Sequence, residues 1–152
     1  MTVGRQDRLR FPKGNGRYVA DLFDPTTLHV AFLRSPVARG RIDQLDLDSA
    51  RSFPGTVTAV GAAEAGAELR PLTLRYGPGE TYPWDVFPAE WTSYVGEPLA
   101  AVVAGSRAAA ESAVELVDLD IDSADPVLSP HDALGAESPI VRPEVGTNLA
   151  FT

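Results

Sequence analysis

The stretch "SYVGEPLAAVVAGSRAAAESAVELVDLDID", Ser93–Asp122, decides how the chain is read. Gly96-Glu97-Pro98 is a turn, because the residue before a proline is pushed to extended geometry. "PLAAVVA", Pro98–Ala104, is a nearly continuous apolar run and predicts a strand buried on both faces. Gly105 turns the chain, and Ser106 caps a helix over Arg107–Val117. Ala110, Ala113, Val114 and Val117 fall at i, i+3, i+4 and i+7, so they form its inner face, with Glu111 and Glu115 outward. "LVDLDID", Leu116–Asp122, alternates Val117, Leu119 and Ile121 with Asp118, Asp120 and Asp122, which predicts a half-buried strand. Strand, helix, strand in this order is a βαβ unit, or its antiparallel variant if the last strand sits elsewhere in the sheet.

Working outward, "TLHVAFLRS", Thr27–Ser35, is a β-branched and aromatic strand with Leu28, Val30 and Phe32 on one face. Arg41–Asp48 alternates with a slip between Ile42 and Leu45, which suggests a bulge or a strand that begins late. Asp48 reads as the N-cap of a short helix Ser49–Phe53, which Pro54-Gly55 ends. Thr56–Val60 is a third strand, and Ala62–Leu69 holds one weak helical turn, broken by Gly66. Residues 70–93, with Pro71, Gly77, Pro78, Gly79 and Pro83, predict an irregular excursion with one or two short strands. A further helical turn is expected at His131–Leu134. The expected organisation is an extended arm over 1–20, a folded body over 21–135 and an extended connector over 136–152.

Composition narrows the chemistry. The 152 residues are enough for one sizeable core. The net charge of -8 disfavours nucleic acid and anionic membrane as partners, since both would be repelled. The basic cluster Arg5, Arg8, Arg10, Lys13 and Arg17 reads as a solvated or subunit-contacting tail. With no cysteine, the chain offers no disulfide, thiolate metal site, iron–sulfur ligand or thiol nucleophile. No apolar run approaches the roughly 20 residues that span a bilayer, and the charged start lacks a secretory h-region, so a cytoplasmic location is expected.

The individual candidates for chemistry read as structure. Gly14-Asn15-Gly16 lacks the flanking strand, helix and Lys-Ser/Thr of a phosphate loop, and Gly77-Pro78-Gly79 is turn chemistry too. His29 and His131 are isolated and cannot fill a metal shell. Asp118, Asp120 and Asp122 point to one sheet face, which suits solvent as well as a cation. Glu97 could serve as a base in an apolar pocket, but its place before Pro98 makes it part of a corner. No catalytic and no metal-ligating residue is assigned. The aromatic side chains Tyr76, Tyr82, Trp84 and Trp91 form either a binding surface or a plug for the open end of the sheet.

The order of segments is more specific than any one of them. "GNGRYVADLFDPTTLHVAFLRSPVARGRI" (Gly14–Ile42), "DLDSARSFPGTVTAVGAAE" (Asp46–Glu64), the Ser93–Asp122 stretch, "LSPHDAL" (Leu128–Leu134) and "NLAF" (Asn148–Phe151) resemble, in that order, the N-terminal α/β-hammerhead domain of molybdenum hydroxylase large subunits. That is the family of xanthine dehydrogenase, aldehyde oxidase and aerobic carbon monoxide dehydrogenase. The region around Arg70–Trp91 departs most from its pattern. The resemblance implies an α+β hammerhead: a mixed β-sheet packed with two helices, with extended terminal arms. It implies a parent complex that carries molybdopterin, a 2Fe-2S subunit and an FAD subunit, and that hydroxylates a C–H bond. The family's cofactor loops and catalytic glutamate lie in later domains, so this chain is expected to bind no cofactor itself. Its expected partner is the molybdopterin-binding large chain, with Leu9, Phe11, Leu149 and Phe151 as contact anchors. The alternative is a free-standing binding module that kept the fold without enzyme activity.

Overall fold

Pro98–Ala104 is the centre of the fold. In the computed structural model, which describes residues 12–16, 18, 22, 24–77 and 80–149, it forms a strand flanked on both edges. In chain order the elements are β1 (His29–Arg34), β2 (Gly40–Asp46), α1 (Asp48–Ser52), β3 (Thr56–Val60), α2 (Ala62–Glu68), β4 (Leu72–Gly77), β5 (Glu80–Trp84), β6 (Trp91–Thr92), β7 (Pro98–Ala104), α3 (Arg107–Val114), β8 (Asp118–Ser123) and α4 (Pro130–Ala133). They form three small sheets of order β1-β7-β3, β6-β2-β8 and β4-β5, and every strand pairing is antiparallel.

The apolar run of β7 is buried as its sequence predicts: Leu99, Ala100, Val102 and Ala104 are fully inaccessible. Its two faces meet different partners. Ala100 and Val102 join Leu47 and Ala50, Ala59 of β3 and Ala113 of α3, with Leu33, Leu45, Phe53, Val114 and Val117 around them. Ala101, on the opposite face, meets Ala65 of α2 and Phe87, with Val60 and Ala62 alongside. The core is largely alanine, so backbones approach closely and little volume is left to rearrange.

β7 and β8 lie in different sheets, so the run between them is not a βαβ unit. The reason is occupancy and polarity. β1 and β3 already take both edges of β7. β8 carries Asp118, Asp120 and Asp122, all exposed, and needs an open face; it finds one beside β2. The helix is also shorter than its apolar spacing suggests. Ser106 caps it, accepting the Ala109 N–H at 3.2 Å, but it closes at Val114 and releases Val117 to the approach of β8. Val117 still packs on the core.

The slip between Ile42 and Leu45 is a bulge, as β2 steps from Ile42↔Ile121 to Gln44↔Asp120. The cap of α1 is different from the expectation. Asp48 lies inside the first turn, its N–H donates to Oδ1 of Asp46 at 2.8 Å, and its own carboxylate turns to Arg51 at 3.2 Å. Asp46 is therefore the capping acid, because a carboxylate two residues ahead reaches the free N–H that Asp48 cannot reach on itself.

Gly40 opens β2 where it crosses β8. A Cβ there would lie 2.5 Å from Cγ2 of Ile121 and 2.9 Å from the Asp122 carbonyl oxygen. The second contact is backbone and cannot swing away. Gly40→Ala is expected to lower stability by about 2 kcal/mol through overpacking. α2 is continuous through Gly66, without the break expected there. Gly66→Ala, where a Cβ meets nothing within 4 Å, is expected to raise stability by roughly 0.5–1 kcal/mol. Paired urea melts of the two variants check both signs.

Candidate functional site

The Gly96-Glu97-Pro98 turn and Ser35-Pro36, some sixty residues apart in sequence, build one corner. Gly96 takes φ +87°, a conformation open to glycine. Its N–H donates to the Ser35 carbonyl at 2.8 Å, and the Ser35 N–H donates to the Glu97 carbonyl at 2.8 Å. Arg34 adds a bond from Nη1 to the Gly96 carbonyl at 2.8 Å. The Glu97 side chain is buried, and its Oε2 accepts the Thr92 hydroxyl at 3.0 Å and the Ser93 N–H at 2.5 Å. This carboxylate closes the Ser93–Gly96 turn on itself, and it lines none of the grooves described below. Buried Ser35, Thr92 and Glu97 are the polar heart of the corner.

The aromatic candidates are placed as follows. Trp84 is half-buried at the end of β5, with its ring centroid 6.5 Å from that of Tyr94 and the Arg142 guanidinium 5.5 Å away. Trp91, also half-buried, lies 4.7 Å beneath the guanidinium of Arg39. The side chains of Tyr76 and Tyr82 fall outside the described residues.

Both arginines join the chain beyond α4 to the body. Arg142 donates to the Pro83 carbonyl at 2.8 Å and pairs with Asp85 at 3.3 Å and Glu144 at 2.7 Å. Arg39 donates to the Ile140 carbonyl at 3.0 Å. Asn148 closes the segment: its Oδ1 accepts the Val141 N–H at 2.8 Å, and its Nδ2 donates to the carbonyls of Ala133 at 3.0 Å and Pro139 at 2.9 Å. The Arg142–Trp84 stack, the Arg142 bonds to Pro83 and Asp85 and the Arg39 bond to Ile140 thus hold residues 139–148 on the body, and Asn148 ties the segment to itself and to α4. Sequence reasoning missed Arg39, Arg142 and Asn148. Arg39 and Arg142 act across long sequence separations and Asn148 across 7–15 residues, and no local pattern marks such contacts. Leu149, the one partner-contact candidate within the described residues, is 47% exposed beside this segment; Leu9, Phe11 and Phe151 fall outside them.

Two grooves flank α2. One of about 250 Å³ lies between α2 and residues 85–89, with Ala65, Leu69 and Phe87 in its lining. The other, about 340 Å³, is lined in part by Asp48, Arg51 and Glu64. Glu64 accepts the Gly61 N–H at 3.0 Å, the acidic half of a capping box at a residue with no side chain of its own, and it also pairs with Arg51. The Gly61 N–H, then the N–H of Glu64 itself and Arg51 hold this carboxyl below the usual glutamate range. It is a helix-capping group already satisfied by its partners.

Asp118 accepts from Gln44 Nε2 at 2.8 Å, while Asp120 and Asp122 face solvent. The His131 ring is fully exposed, and His29 is half-buried in β1. Among the described residues no three His, Asp or Glu side chains converge to hold a metal ion. No helix among them is long and apolar enough to cross a membrane.

Comparisons with known proteins assign this fold to a family. The family model described as "Aldehyde oxidase and xanthine dehydrogenase, a/b hammerhead domain" matches residues 13–125. The chain is 37% identical over 143 residues to the carbon monoxide dehydrogenase large chain of Hydrogenophaga pseudoflava, covering 92% of this chain and 17% of that one. It is 32% identical over 151 residues to the nicotine 6-hydroxylase large subunit of Paenarthrobacter nicotinovorans, covering 98% and 18%. The crystal structure of quinoline 2-oxidoreductase from Pseudomonas putida 86 superposes with a TM-score of 0.86 at 31% identity, over 98% of this chain and 19% of that one. The chain thus spans about a fifth of the length of these relatives. It belongs to the aldehyde oxidase and xanthine dehydrogenase family of molybdenum hydroxylases, as an α/β-hammerhead domain.

Proposed function

We propose that the chain is a non-catalytic structural domain or split subunit of a molybdopterin-dependent oxidoreductase, packing against the cofactor-bearing polypeptide in a cytoplasmic complex. The observation that carries this reading is coverage: 92% of this chain aligns with only 17% of a carbon monoxide dehydrogenase large chain. The side-chain chemistry supports it. Glu97 is committed to Thr92 and Ser93, and Glu64 to Gly61 and Arg51. Molybdopterin belongs to the polypeptide against which this chain packs, and 2Fe-2S and FAD to companion subunits. Leu9, Phe11, Leu149 and Phe151 are its proposed anchors, and burial of roughly 1,600 Å² would make a standard stable interface.

The test is co-expression of this chain with the molybdopterin-bearing polypeptide lacking its own hammerhead. Co-purification, with hydroxylase activity that depends on this chain, is the expected result. Stoichiometric molybdenum in the isolated 152-residue chain, or full activity of the polypeptide without it, would overturn the reading.

A further inference from the structure

The two three-stranded sheets have four edge strands, and three of them are protected against pairing. β6 is only two residues long. β8 presents Asp118, Asp120 and Asp122. β3 is bulged between Thr56 and Thr58, and Arg51 Nε covers its Ala59 carbonyl at 3.2 Å. Short length, charge, bulges and capping side chains are the usual devices that keep an edge from recruiting another strand.

β1 has none of them along its length. Its six residues carry no proline, lysine or acid. Its one register slip lies at the very end, between Leu33 and Arg34. Arg34 is drawn off to the Gly96 carbonyl and sits 5.5 Å over the Phe32 ring. Period two places Leu28, Val30 and Phe32 on one side, and these are 49%, 52% and 47% exposed. An open groove of about 750 Å³ lies along the strand, between β1 and the Arg107–Glu111–Glu115 face of α3. Six residues extend roughly 20 Å, a strand-length trough.

From this geometry we infer that β1 is an acceptor strand: an extended segment of the cofactor-bearing polypeptide pairs along the edge that carries no strand among the described residues, as a fourth strand, and covers Val30 and Phe32 with its own apolar side chains. The inference rests on the family-assembly reading above and names the surface by which that assembly forms. The occupant follows from length. About four-fifths of each relative's chain lies outside the part matched here, which is ample polypeptide to supply such a segment. Main-chain bonds would supply affinity, and Val30 and Phe32 would set which side chains fit opposite them.

The experiment compares the free chain with its complex with the molybdopterin-bearing polypeptide supplied in trans. Amide exchange at residues 29–34 is expected to slow at least about tenfold in the complex. The double variant Val30→Asp/Phe32→Asp is expected to weaken the complex about 100-fold. Leu69→Asp, at an equally exposed leucine elsewhere, is expected to change it less than about threefold. Far-UV circular dichroism verifies that each variant folds, and the exchange measurement on the wild type needs no variant. A wild-type complex in which residues 29–34 exchange as in the free chain, or which the double variant joins unimpaired, overturns this inference alone. No complex with the wild-type chain overturns the assembly reading and this inference with it. A homodimer of the wild type that the double variant abolishes assigns the edge to a second copy and overturns it as well.

Discussion

Leu99→Ala is expected to lower the unfolding free energy by about 4 kcal/mol, near the upper part of the range for such truncations. Leu99 is fully buried and heads the largest inaccessible side chains of the described residues. It sits at the register slip of the central strand, where β1 passes from Leu33↔Ala100 to Arg34↔Pro98. A cavity is costly in proportion to what cannot collapse into it. Here the neighbours along the strand include Ala100 and Ala101, both buried. An alanine has no rotamer with which to refill a void, so the backbone itself would have to move. For a domain of this size each kcal/mol is worth 2–4 °C, so the midpoint should fall by about 8–16 °C. Urea unfolding with an unchanged slope measures the loss directly. Leu99→Met, close in volume, should cost under about 1.5 kcal/mol. A loss for Leu99→Ala no greater than that for Leu99→Met would show that the site relaxes freely, contrary to this account of the core.

Glu97→Ala is expected to cost roughly 3 kcal/mol, by stranding two donors in a buried corner. The Thr92 hydroxyl is fully inaccessible and the Ser93 N–H is part-buried, and both donate to one carboxylate oxygen. Glu97→Gln keeps one acceptor and places an amide donor near the same groups, so about 1–2 kcal/mol should be lost. The effect should be local before it is global. Amide exchange at Ser93, Gly96 and Ser35 should rise in both variants, because these N–H groups hold the turn and its bridge to the end of β1. Equal stability of the glutamine variant and the wild type would mean that volume, and not the charge-assisted bonds, fixes the corner.

Much of this architecture is legible in the sequence because its signals are local. The apolar run of β7, the Ser106 cap and the alternation of Asp118–Ser123 each rest on a few adjacent residues, and each appears where it is expected. The slip between Ile42 and Leu45 is legible as a bulge or a late start, and the pairing with β8 makes it a bulge. Period two correctly groups Leu28, Val30 and Phe32, yet the inner face of β1 is His29, Ala31 and Leu33. Alternation defines two faces, and which of them is covered depends on where α3 packs. Sheet membership is illegible for a similar reason. Nothing in Leu116–Asp122 says that both edges of β7 are already taken by strands some forty and seventy residues upstream. The corner built by Glu97 is half legible: the proline marks the turn, but Thr92 and Ser35 become its partners only through the fold.

The placement of the indoles gives the molecule a built-in optical reporter. The chain has two tryptophans, and each lies under an arginine that joins residues 139–148 to the body: Trp91 under Arg39, which bonds Ile140 from the body, and Trp84 under Arg142, which bonds Pro83 from the segment. Their emission therefore registers whether residues 139–148 are seated. If that segment lifts away, Trp84 loses the Arg142 guanidinium and gains water while Trp91 keeps Arg39, and fluorescence shifts to the red while the alanine core and its circular dichroism stay intact.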